Sequence, residues 1–386
     1  MKRLYRNRVR ASLVAAILSG ATFLFAQTST RQQALALEQQ GQNAEAEQLW
    51  HSIARANPRN PEAPAHLGLL EARQQHYNEA ISFYRQALAL DPNLPGLEMN
   101  LGLALFKTNQ FPAALKPFTA ELRKRPGDPR LIILLGMTHY GMGDYLVAIP
   151  YLQRAAEQEP GNLTLRLTLA HSCLWSKQYQ CVLDTYKQIL ALNAESAEAD
   201  MLAGEALDSK GDNAGATQYF RAAVHANPKE PNVHFGLAYL LWTQNHYAEA
   251  ASEFEAELDN DPHHIQARAY LGDSYTQLND YAKAQPELEK ALAADPSIAF
   301  VHRDLGMVYA ELGRKEDAAR ELERAIALDP SDVAPHWRLA KLYQSMGKKE
   351  QATAEFAKAS SINRSAKESS QALYQKLSTG HAAPTP

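Results

Sequence analysis

Apolar positions in this chain recur on a ruler of 34 residues. One set is always small: Ala34, Gly68, Gly102, Gly136, Ala170, Gly204, Ala238, Gly272, Gly306 and Ala340. Twelve residues after each lies a second small set, Ala46, Ala80, Ala114, Ala148 and so on to Ala352, broken only by Val182. Four residues further on the position is bulky, as at Trp50, Tyr84, Phe118, Leu152, Phe254 and Leu322. Residues four apart share a helix face, so the second small set and the bulky set belong to one helix. Helix axes come to the short end of the usual range of roughly 8–10 Å only where contact residues are small. The pattern therefore predicts two antiparallel helices per 34 residues, touching at the small positions and sealed by the bulky one.

The punctuation agrees. Pro58, Pro92, Pro126, Pro160, Pro228, Pro262, Pro296 and Pro330 fall on the same grid, which is vacant at Ala194 and Arg364. Proline disfavours helix at the residue before it, so each one ends the second helix of its unit. Polar breaks such as "QQGQN", "KGDN" and "ELGR" separate the two helices within a unit. Asn60–Pro61 and Asp128–Pro129 have the order of an N-cap followed by a first helical proline. No hairpin of this kind covers its own apolar face, so neighbouring units must stack.

The frame resembles the tetratricopeptide repeat family. Gly272, Tyr275, Ala284, Leu288, Ala291 and Pro296 follow its pattern with Leu in place of the aromatic, as do Gly306, Tyr309, Ala318, Leu322, Ala325 and Pro330. The first repeat lacks the Tyr, and the 163–196 repeat lacks both the Pro and the second Ala. The resemblance covers residues 27–366 and implies an all-α, right-handed α-solenoid of about ten 34-residue helical hairpins, a TPR-like superhelix. In residues 367–386, "KESSQALYQKLS" reads as a C-terminal capping helix with Leu373 and Leu377 turned inward, and "TGHAAPTP" as a disordered tail.

Composition adds the address. Lys2, Arg3, Arg6, Arg8 and Arg10 precede the apolar run "ASLVAAILSGATFLFA" over residues 11–26. That run is shorter than the roughly twenty residues needed to span a bilayer, and its order is that of a secretory signal. Residues 1–26 are thus expected to be a signal peptide or an uncleaved N-terminal anchor, with the rest periplasmic or extracellular. Membrane contact is expected only through that segment, if it stays. Without its five cationic residues, 34 basic residues face 43 acidic ones, a balance that disfavours a nucleic-acid partner.

Chemistry is sparse. The thirteen histidines are scattered, with no HExxH or Cys-x-x-Cys spacing, so no metal, cofactor or catalytic residue is expected. His302 and His336 share a phase one repeat apart, and His263–His264 sits in an inter-hairpin turn. An enzyme would have to draw on His171, Glu205 and Asp208. Cys173 and Cys181, the only cysteines, flank the "LWSKQYQ" turn of the irregular repeat and stand either as a disulfide across the hairpin or as two buried thiols.

The resemblance places the first helices on the concave surface. Some members carry basic and Asn residues there that clamp a carboxylate, a constellation absent here. The helical period puts Met99, Leu103 and Phe106, then Ile133, Met137 and Tyr140, then Leu167, His171 and Leu174 with Trp175 beside it, and two repeats on Phe235, Tyr239 and Trp242, on that surface. The 197–230 and 265–298 repeats offer Met201, Glu205 and Asp208, and Ala269, Asp273 and Thr276. The apolar stripe either packs internally or forms a groove for an amphipathic or extended apolar segment. The expected function is a protein-interaction scaffold without catalysis, its partner a protein or peptide, with a periplasmic holdase or lipid-handling protein as the alternative.

Overall fold

The computed structural model describes residues 30–193 and 195–379, with side chains to residue 371. The N-terminal segment 1–26, the side chains of Leu373 and Leu377, and the end of the tail lie outside them. Everything described is helix or turn, with no strand. The chain forms two compact units that divide between Gln188 and Ile189.

In the first unit the hairpins are α1 (30–39) with α2 (Asn43–Ala56), α3 (Glu62–Arg73) with α4 (Tyr77–Leu90), α5 (Leu97–Lys107) with α6 (Phe111–Lys124), and α7 (Pro129–Gly141) with α8 (Tyr145–Gln158). A fifth, α9 (Leu163–Trp175) with α10 (Tyr179–Leu192), contains the dividing point. The second unit continues with α11 (Ala197–Ser209) and α12 (Asn213–Ala226), α13 (Val233–Thr243) and α14 (Tyr247–Asn260), and α15 (Ile265–Gln277) and α16 (Tyr281–Ala294). It ends with α17 (Ala299–Glu311) and α18 (Lys315–Leu328), and α19 (Val333–Ser345) and α20 (Lys349–Thr379).

The hairpins close as their residues require. A Cβ added to Gly68 would lie 2.7 Å from the Tyr84 ring, and one on Gly272 2.5 Å from Leu288. The helices have therefore approached until the bulky side chain rests on bare backbone. Trp50, Tyr84, Phe118 and Phe254 are all but sealed from solvent at these contacts, each contributing on the order of 1.5–3 kcal/mol by burial. The alanine set is equally buried, from Ala46 through Ala318.

The turns repeat as faithfully. One residue per hairpin is left-handed, at 34-residue steps from Gly41 to Gly347, and non-glycine residues fill five of these places, Gln75, Asn109, Lys177, Asn245 and Asn279. At the second hairpin, His76 N donates to Glu71 O at 2.9 Å and Gln75 N to Ala72 O at 3.1 Å. This is the paired closure that satisfies the last carbonyls of a helix. Between hairpins, the Asp that precedes the grid proline takes the extended backbone that the proline demands, at φ −143° for Asp91 and −140° for Asp295. Its carboxylate accepts from the N–H two residues on: Asn93 N donates to Asp91 Oδ1 and Ser297 N to Asp295 Oδ1, both at 2.9 Å. Asp128 likewise accepts from Arg130 N at 3.0 Å as the cap of α7. Asn60, one residue before the cap position Pro61, accepts from Glu62 N at the start of α3, also at 3.0 Å.

One expectation changes. No separate capping helix follows the last repeat, because α20 runs unbroken from Lys349 to Thr379. The grid proline is Arg364 here, and "RSAKESSQ" contains neither Pro nor Gly to stop the helix. Its residues 363–371 are all exposed.

In the second unit, successive first helices pack directly on one another, α11 on α13, α13 on α15, α15 on α17 and α17 on α19; α3 and α5 do the same in the first unit. Successive second helices do not pack as closely. In the second unit the first helices thus form the inner layer; in the first unit α3 and α5 do so, and α7 and α9 meet through the Tyr140 and Trp175 rings.

Candidate functional site

In the first unit, Met99, Leu103 and Phe106 of α5, Ile133, Met137 and Tyr140 of α7, and Leu167 and His171 of α9 are all half-buried. They lean on neighbouring helices and still present a surface. Phe106 packs edge-on against Phe111 at 5.4 Å between centroids. Leu174 departs from its expected place: it is buried at 8% exposure, whereas Trp175, one position on, is 48% exposed. The surface at the end of α9 passes to the indole, which lies 5.7 Å from Tyr140, 4.7 Å from Tyr145 and 5.1 Å from His171. Tyr145 belongs to the start of a second helix, so a rule built on first-helix offsets misses it.

The second unit has its own cluster. Tyr239 is 40% exposed, and Phe235 and Trp242 flank it at 6.2 and 5.9 Å. Tyr270 of α15 meets Tyr239 at 5.3 Å and Trp242 at 5.0 Å, and stacks on Phe300 of α17 at 5.2 Å. Tyr270 lies one position beyond the inner-face residue Ala269, and Phe300 one turn before the corresponding position of the next repeat, and the packing of adjacent repeats brings both in.

Ala269, Asp273 and Thr276, expected on the surface, are buried. The Thr276 hydroxyl turns back to donate to Gly272 O at 2.8 Å, and Asp273 is covered by Trp242, whose indole N–H donates to Asp273 Oδ2 at 2.5 Å. Trp242 is therefore a bridge between repeats rather than a free contact. Beneath it lies an ionic group. Arg303 Nε donates to Asp304 Oδ1 at 2.8 Å, and its other nitrogens stand 3.6 Å from Asp273 and 3.7 Å from Asp332. Burial lifts the Asp304 carboxyl well above the ordinary aspartate range; Arg303 opposes this and the Asp273 charge adds to it.

Other candidates resolve into scaffolding. His234, His302 and His336 each meet a glutamate of the paired second helix, Glu253, Glu321 and Glu355, at 2.6 Å, and Arg268 meets Glu287 in the same way at 2.5 Å. These are rungs between the two helices of four successive repeats. His264 caps α15, its Nδ1 accepting from Ala267 N at 3.1 Å. Among the described residues no group of three His, Cys, Asp or Glu is set to hold a metal, and no helix is long and apolar enough to cross a membrane. Cys173 and Cys181 are bonded as a disulfide across the α9–α10 turn, with Cα atoms 5.7 Å apart.

Family models described as tetratricopeptide repeat match this chain, one at residues 31–95, 183–231, 235–299 and 271–333, the other at 139–206 and 309–377. No curated protein matches it. Similar solved structures include a crystal structure of MamA, 21% identical, covering 43% of this chain and 96% of that one, with a TM-score of 0.40. The MamA fragment from residue 41 onward of Desulfovibrio magneticus RS-1 is 22% identical and covers 44% of this chain and 96% of its own, with a TM-score of 0.41. YrrB, titled a TPR protein with an unusual peptide-binding site, is 19% identical, covers 46% of this chain and 91% of its own, and has a TM-score of 0.41.

Proposed function

The chain belongs to the tetratricopeptide repeat family, and from that premise we propose that it is an exported, non-catalytic scaffold that binds a protein partner through its first-helix faces. The partner segment is apolar or amphipathic. The observation that carries this reading is the exposure of Trp175 and Tyr239, each set in a cluster of rings on the inner layer of its unit. Large aromatics left accessible in a rigid setting lose little entropy on binding and bury much area, which is why Trp and Tyr dominate interface energetics. Met99, Met137 and the neighbouring apolar residues extend the first-unit face with adaptable side chains.

Export is supported by the basic-then-apolar order of residues 1–26 and by the bonded cysteine pair, since disulfides persist outside reducing compartments. The rungs and caps give structural roles to His234, His264, Arg268, His302 and His336, while Trp175 and Tyr239 stay exposed.

The test is crosslinking in the native host, with the captured protein identified by mass spectrometry for the wild type and for a Trp175→Ser/Tyr239→Ser variant. The variant is expected to lose the defined partner while keeping its helical circular dichroism. Undiminished capture of the same protein by the variant would end this reading.

A further inference from the structure

The rung between paired helices is incomplete at one hairpin. In four successive repeats of the second unit, a basic residue of the first helix meets a glutamate 19 residues further on, as Arg268 meets Glu287. Arg166 of α9 holds the same 34-residue phase as His234, Arg268, His302 and His336, and the position 19 residues after it is Thr185. The acid of the rung is missing there. Arg166 is nevertheless buried, at 8% exposure. Its Nη2 donates to Ala156 O at 3.4 Å, while its Nε and Nη1 are buried with no hydrogen-bond partner. Among the described residues it makes no ion pair. Arg166 and Thr185 both line a cavity of about 470 Å³ bounded by α8, α9 and α10, and every residue of the lining belongs to the first unit.

We infer that this cavity binds a carboxylate from outside the chain, which takes the place of the missing glutamate beside Arg166. A buried guanidinium has five N–H donors and cannot lose its charge, so burial without a counter-charge is strongly unfavourable. The molecule itself shows which group answers that need at this offset: Arg268 stands 2.5 Å from the Glu287 carboxylate. Threonine is shorter than glutamate by a methylene and the acid, so Thr185 does not reach across as Glu287 does. A cation in the cavity would be repelled by Arg166, and a neutral guest would leave the guanidinium uncompensated. A dianion such as a phosphate would be opposed more strongly than a monoanion by Glu157 and Asp184, which also line the cavity. Those two acids are exposed, and Asp184 is already engaged by Gln180 Nε2 at 3.1 Å and Lys187 Nζ at 3.8 Å. The ligand is therefore a monocarboxylate, with Gln153 and Gln188 amides at hand for its polar body. A small free acid, an acidic side chain and a chain end all carry that group. The site does not involve Trp175 or Tyr239, so it goes beyond the scaffold reading and stands or falls separately.

The test titrates the full chain with acetate, N-acetylglycine and N-acetylglutamate methylamide, read by saturation-transfer NMR. Acetamide, N-acetylglutamine methylamide and methyl phosphate are the controls. At least one carboxylate is expected to bind tenfold or more tightly than its amide, and more tightly than methyl phosphate. Which carboxylate binds best distinguishes a free acid, a chain end and a side chain as the source, and each of these supports the site. Arg166→Met should abolish the preference and, because it removes a buried charge that has no internal partner, should melt no lower than the wild type. Thr185→Glu rebuilds the rung from within, so it should melt higher and bind none of the probes. Equal binding of acid and amide, tighter binding of methyl phosphate, or a preference that survives in Arg166→Met overturns the inference. So does an Arg166→Met chain that melts well below the wild type without ligand, since Glu157 or Asp184 would then be the counter-charge. A Thr185→Glu chain that still binds carboxylate, or that melts lower, overturns it as well.

Discussion

Phe118 lies against the backbone of Gly102 so closely that a Cβ on the glycine would be 2.5 Å from the ring. A methyl group fits there only if the buried Phe118 ring shifts or the α5–α6 hairpin opens. Gly102→Ala should therefore destabilise by about 1–3 kcal/mol through overpacking, despite the gain of up to about 1 kcal/mol that alanine brings to a helix interior. Gly136→Ala is the internal control. Its Cβ would stand 3.1 Å from Leu152 and 3.2 Å from Tyr151 Cβ, a milder crowding that small shifts of a few tenths of an ångström relieve. Urea denaturation should rank the first variant well below the second, and similar midpoints would contradict the packing described.

The pair Asp304 and Asp273 makes stability depend on pH. Burial raises the folded-state pKa of Asp304 above that of the unfolded chain. Its contribution is thus fully present below the ordinary aspartate value of about 3.9 and is lost as pH rises from there through the folded value. Asp304→Asn keeps an acceptor for Arg303 Nε and gains a donor for Asp273, with nothing to ionise. Its urea midpoint should exceed the wild type's at neutral pH, the gap closing towards pH 4. Parallel profiles for the two proteins would exclude this pair as the cause.

The disulfide compensates for an irregular repeat. The 163–196 hairpin has Val182 where the others have Ala and no grid proline, and the Cys173–Cys181 link spans only its turn. By chain entropy, closing so short a loop contributes roughly 2–3 kcal/mol. Cys173→Ala/Cys181→Ala should lose that amount in urea denaturation. Alkylation of unreduced protein from its native compartment should find no free thiol, and two modified cysteines would refute the bridge.

How much was legible beforehand depended on whether a residue's role is local. The ALDP turn could be read from sequence because proline acts on the residue before it and Asp on the N–H two residues later. The Gly–Ala–aromatic contact could be read because it closes within one hairpin. The site could be read only in part. Trp175 stands beside Leu174 without sharing its offset, and Tyr270 has no counterpart at 34-residue spacing. Tyr145 does belong to a series with Tyr77, Phe111, Tyr179, Tyr247 and Tyr281, but that series opens the second helices, and nothing in its spacing shows that one member reaches an inner-face cluster.

The sequence by itself determined the hairpin, its length, its turns and its repetition, because each rests on residues within one 34-residue unit. The tertiary structure alone decided which inner-face side chains remain free. Trp242 is drawn onto Asp273, Leu174 is buried and Tyr239 left exposed. Exposure is set by side chains of the adjoining repeat, and no period within one unit carries that information.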